Sequence, residues 1–140
     1  MTIASINLVG VLDLGGVLLG TIAGFAFGLM YYTLLGKHWL DAIGNSQEAA
    51  KGSSALPFVT SFVSLLVMGS VLDWYFAQQA PEAVNSLYAI KSAAIFWLGF
   101  VVTSMATNNA FQGAKAKLTV LDSMHWFGVL VIQALIIARF

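Results

Sequence analysis

Residues 8–35, LVGVLDLGGVLLGTIAGFAFGLMYYTLL, decide the fold of this chain. As an α-helix the run is about 42 Å long, against about 30 Å for the hydrocarbon core of a bilayer. Its two ends therefore reach the interface, or the helix tilts. Gly16, Gly20, Gly24 and Gly28 recur every four residues, so they form one bare, slowly drifting stripe along the helix. Small residues let a neighbouring helix approach closely, which is how helices associate in lipid. Asp13 and Tyr31 flank the stripe three residues outside its first and last glycines. This face looks towards protein.

Composition points the same way. Of the 140 residues, 59% are hydrophobic and only 9% are charged, where an ordinary soluble domain has roughly a quarter charged. So little charge cannot cover a water-facing surface. The net charge is zero with scattered Lys and Arg, which leaves no basic footprint for nucleic acid. There is no cysteine, so disulfides, iron–sulfur clusters and thiolate zinc sites are excluded. The N-terminal MTIASIN lacks the basic n-region of a signal peptide, and the first apolar run is expected to be a retained span.

Outward from that run, three more apolar stretches follow, and the expected helices cover about 8–35, 55–79, 86–111 and 118–138. The expectation is an all-α, integral membrane four-helix bundle, up-down-up-down, forming one domain over residues 1–140. Between the first two helices lies Gly36–Ser54. There Trp39, Leu40 and Ile43 at helical spacing predict a short interfacial segment ahead of a loop. Tyr31, Tyr32 and Trp39 suit an aromatic belt. Lys37, Lys51, Lys115 and Lys117 fall on one side, against Lys91 and Arg139 on the other. That bias puts both termini on the non-cytoplasmic side of a bacterial inner membrane.

An ionisable residue within a span is costly to insert and is a functional candidate for that reason. Asp13, Asp73 and Lys91 are expected near the outer face, as an ion-pair cluster that either clamps the helices or admits a proton or cation. At the other end His125 is the deepest ionisable group, with Asp122 three residues before it on the same face and Gln133 further along. A carboxylate beside the imidazole would fix its tautomer and help it hold a proton, as a relay requires. The alternative is a hydrogen bond that satisfies both groups in the core. Tyr31 and Asn109 belong to this same end and complete the candidate polar site. No catalytic constellation and no metal-ligand spacing occurs. The expectation is no cofactor; the alternative is a haem held by His38 and His125, or a pigment against the Trp97/Trp126 pair among 10 Phe, 4 Tyr and 4 Trp.

Several short marks in order carry a resemblance. They are Ile6-Asn7; Gly28 with Tyr31-Tyr32; Gly36-Lys37-His38-Trp39; Trp97-Leu98-Gly99-Phe100-Val101; Asn109-Ala110-Phe111; and Leu121-Asp122. With these the chain resembles the bacterial membrane proteins grouped as domain of unknown function 1761. The resemblance implies a four-helix integral membrane protein and brings no activity or substrate. Leu8 and Met30 stand where Trp is expected in such proteins, and Ser123-Met124 departs from the pattern after Asp122, so His125 is not carried over as a family feature.

Three functions follow as expectations. The first is a non-enzymatic bundle that contacts membrane lipids and either self-associates as a homo-oligomer or serves a larger membrane complex as an accessory subunit. The second is an oligomeric proton- or ion-coupled transporter or channel using Asp122 and His125. The third is a lipid- or cofactor-binding membrane protein.

Overall fold

The computed structural model describes residues 12–44 and 54–140. Four helices account for nearly all of them: α1, Leu14–Ile43; α2, Leu56–Ala77; α3, Ser86–Phe111; and α4, Ala116–Ile137. Each is long and apolar enough to cross a membrane. Large apolar side chains also cover the outside, among them Leu18, Ile22, Val67, Val71, Ile95 and Leu98, as a lipid-facing surface requires.

Local chemistry sets the boundaries. Asp13 is the N-cap of α1, in extended conformation, and its carboxylate accepts from the N–H groups of Gly15 and Gly16. Those are two of the donors that a helix start leaves unpaired. The helix thus begins after Asp13, which corrects the expected start near residue 8 and leaves Asp13 at the very end of α1; Leu8–Val11 lie outside the described residues. At the other end α1 runs without a break through Gly36 to Ile43 and closes on Gly44, whose φ of 59° suits a residue without a Cβ. Trp39, Leu40 and Ile43 therefore continue α1 and do not form a separate interfacial helix. The loop expected beyond Gly44 lies outside the described residues up to Ser53.

In α2, Pro57 sits in the first turn, where its missing N–H costs little. A short 3₁₀ turn, Pro81–Ala83, leads to α3, which Asn85 caps by accepting from the N–H of Tyr88. Within α3, Trp97–Val102 is wound as a π-helix.

Successive helices are antiparallel. Gly16 faces Phe140 and Gly28 faces His125 across α1 and α4, while Asp13 meets Asp73 across α1 and α2. Helix α4 touches all three others, α1 and α3 to an equal extent and α2 less. One core binds the end nearest Asp73: Leu72 and Phe76 of α2, Ala89 and Ala93 of α3, and Leu130, Ala134 and Ile137 of α4. Its alanines bring the backbones of α3 and α4 close together.

Candidate functional site

The glycine stripe is filled from within the chain. Building a Cβ on Gly16 brings it to 3.3 Å from Phe140, and on Gly20 to 3.5 Å from Cα of Gln133. On Gly24 it would stand 2.9 Å from a Leu65 methyl, and on Gly28 only 2.8 Å from Nε2 of His125. The stripe is the groove into which α4 lies, with Leu65 of α2 reaching in at Gly24. A fifth glycine fits tighter still. Gly128, on α4, receives the Phe27 ring of α1 so closely that no Cβ could be added without moving it. No spacing rule singles out this residue in the sequence.

Gly28 opens the space for the central group of the site. His125 is nine residues beyond the start of α4, or roughly 13 Å along its axis and near mid-helix. It is 6% exposed and enclosed by rings: Tyr32 at 4.9 Å, Trp126 at 5.1 Å, Tyr31 at 5.5 Å and Phe27 at 6.1 Å, the last nearly parallel to it. Its Nδ1 is sealed from solvent and has no hydrogen-bond partner among the described residues.

The expected pairing of His125 with Asp122 does not form. Residues three apart share a helix face, but their side chains need not meet, and here α1 takes the carboxylate. The Tyr32 hydroxyl donates to Asp122 Oδ1 at 2.8 Å, and Trp39 is a second hydrogen-bonding neighbour of the same group. Tyr31 donates instead to the backbone oxygen of Leu121 at 2.9 Å. Both tyrosine hydroxyls thus tie α1 to the first half of α4 and leave the imidazole alone.

The other polar candidates separate. Gln133 is fully buried two turns away, level with Gly20 and Gly69, and its amide donates to the Leu65 carbonyl at 2.8 Å. Its Oε1 and the hydroxyl of buried Thr21 have no partner among the described residues. Asn109 clamps the α3–α4 turn by donating to Thr119 at 2.9 Å. The outer ion-pair cluster is not assembled either. Buried Asp73 accepts from the backbone N–H of Asp13 at 2.9 Å, whereas Lys91 is exposed, and no ion pair joins it to either carboxylate among the described residues. Trp97 and Trp126 serve different neighbours: Trp97 donates to the Ser123 carbonyl at 2.6 Å and packs on Phe127, while Trp126 packs on His125. His38 is exposed, and the described residues hold no group of three His, Asp or Glu able to ligate a metal.

His125 lies at the inner end of a cleft of about 390 Å³ between α1 and α2. Phe25, Leu29 and Tyr32 line one wall and Pro57, Phe58, Ser61 and Leu65 the other, with Gly24 and Gly28 at its base. Leu29 and Phe58, both about half exposed, stand at its outward rim. None of the lining residues carries a formal charge apart from what the imidazole can acquire. The arrangement is a lateral, largely apolar slot, with the hydroxyl residues Thr33 and Ser61 in its lining and one buried heterocycle at the end.

The profile of the family described as "Protein of unknown function (DUF1761)" matches residues 16–138. No curated protein sequence and no solved structure matches the chain. The match spans most of the chain, which belongs to this family.

Proposed function

We propose that this DUF1761 member is a non-enzymatic membrane protein that binds a neutral, largely apolar molecule in the α1–α2 cleft, with His125 as its polar anchor. The observation that carries this reading is the buried imidazole of His125 at the end of a largely apolar, uncharged slot. Pockets of this kind, apolar with a few placed polar groups, are where small ligands bind. The rim at Leu29 and Phe58 offers lateral access from a lipid phase, so a ligand need not pass through water. Both termini lie outside the cytoplasm in this reading, on the lysine bias of the loops.

The glycine stripe, one ground for expecting self-association, is occupied by α4 and Leu65 of the same chain. An oligomer or an accessory subunit would have to use the outer faces of the helices.

Proton- or ion-coupled transport is a second reading, favoured by the succession of polar side chains inside the bundle: Asp73, Thr21, Gln133 and His125. Against it, Leu65 and Val129 pack tightly between Gln133 and His125 at Gly24, and Asp122 is committed to Tyr32.

Extraction and mass spectrometry of protein purified in mild detergent test the first reading. One class of neutral amphiphile should be enriched over bulk lipid and lost from Ser61→Phe, which fills the cleft from α2. Lipid identical in both preparations would count against it.

A further inference from the structure

We infer that the molecule held in the cleft is a lipid-soluble carbonyl compound with a flat ring at its head, the chemistry of a quinone. The inference rests on the cleft reading above and adds the identity of the contacting atom and the shape of the head.

The contacting atom follows from the surroundings of the imidazole. A neutral imidazole carries one N–H and one bare nitrogen. Nδ1 of His125 is sealed off without a partner, whereas Nε2 points at Gly28, which lines the cleft. Buried N–H groups left unpaired are rarer in proteins than under-satisfied acceptors. The proton therefore belongs on Nε2, and the bare nitrogen is the one sealed off. Both neighbouring tyrosine hydroxyls donate elsewhere, Tyr31 to Leu121 and Tyr32 to Asp122, and neither is hydrogen-bonded to the imidazole among the described residues. The cleft thus presents one N–H donor at its inner end, besides the hydroxyls of Ser61 and of Thr33, the latter bonded to the Leu29 carbonyl, and the ligand atom that matches the N–H is an acceptor such as a carbonyl oxygen.

The shape and charge of the head follow from the walls. Phe25, Tyr32 and Phe58 border the slot together with the imidazole. Phe25 is held edge-on by Phe62, with ring centroids 5.7 Å apart. Aromatic walls favour a ring packed against them. No lysine or arginine lines the slot to neutralise a phosphate or carboxylate, and burying an unpaired anion there would be prohibitive. A ring carbonyl on an apolar tail meets all three conditions, with the tail leaving past Leu29 and Phe58.

The test is equilibrium binding, in detergent, of a short-tailed alkyl-1,4-benzoquinone against the alkylbenzene with the same tail, which keeps the flat ring and lacks the acceptor. The wild type should prefer the quinone by on the order of tenfold. His125→Phe should lose that preference, and His125→Gln, which keeps an N–H near the position of Nε2, should retain most of it. Equal affinity for the two probes in the wild type overturns the inference while leaving the cleft reading intact, and so does a preference that survives in His125→Phe. Binding of both probes that is undiminished in Ser61→Phe overturns the cleft reading itself. The wild-type comparison decides the matter even if a His125 variant fails to fold.

Discussion

The edge of the His125 imidazole rests on Gly28: Nε2 lies 2.8 Å from where a Cβ of that glycine would be. The ring cannot retreat, because Phe27, Tyr31, Tyr32 and Trp126 surround it. Gly28→Ala should therefore cost about 1–3 kcal/mol through overpacking and narrow the cleft. Gly128→Ala, against the Phe27 ring, should cost as much or more. Gly24→Ala should be milder, since it meets only the far end of the Leu65 side chain, and Gly20→Ala meets Gln133 at ordinary contact distance. Unfolding titrations in mixed micelles would give the order, and an equal cost at Gly20 and Gly28 would contradict it. Gly20→Leu and Gly24→Leu exceed the space available and should prevent folding.

The bond from Tyr32 to Asp122 replaces the pairing of Asp122 with His125 that the sequence invites. A double-mutant cycle separates the two. Tyr32→Phe and Asp122→Ala should be coupled by about 0.5–3 kcal/mol, and Asp122→Ala and His125→Ala by less than about 0.5 kcal/mol. The reverse order would restore the Asp–His pair.

Thr21 and Gln133 each carry a buried polar atom without a partner among the described residues. Replacing such a group by an apolar one of similar shape is nearly neutral or stabilising. Thr21→Val and Gln133→Leu should thus change stability by no more than about 1 kcal/mol in the unfavourable direction. The carbonyl of Leu65, which the Gln133 amide meets, keeps its place in the α2 ladder. A larger loss on unfolding would show that these groups are satisfied in the membrane.

Flux separates the binding and transport readings. Liposomes containing the protein should show no proton or cation movement above that of empty vesicles, and Leu65→Ser should open none selectively. A proton flux abolished by Asp122→Asn or His125→Ala would favour transport instead.

Four spans were legible from length and apolarity alone, because lipid demands both. The glycine stripe, too, was legible as a packing face, but its partner was not. A repeat of small residues says that something comes close, whereas its partners Phe140, Gln133 and His125 lie about a hundred residues or more further on. The start of α1 was not legible because apolar residues precede Asp13, while the cap geometry that starts the helix depends on Gly15 and Gly16. Asp122 and His125 misled for a different reason: sharing a face sets where side chains leave the backbone, and a tyrosine from α1 decided where the carboxylate went. The π-helical turn in α3 and the fit of Phe27 on Gly128 left no periodic mark to find.

The central claim is that the α1–α2 cleft is occupied by an apolar molecule, and photolabelling tests it most directly. A photoreactive alkyl diazirine probe in native membranes, mapped by peptide mass spectrometry, should label Leu29, Phe58 and Ser61 above all. That labelling should vanish from the cleft in Ser61→Phe. Labels spread evenly over outward residues such as Leu18, Val67, Ile95 and Leu98, and unchanged in that variant, would contradict the claim.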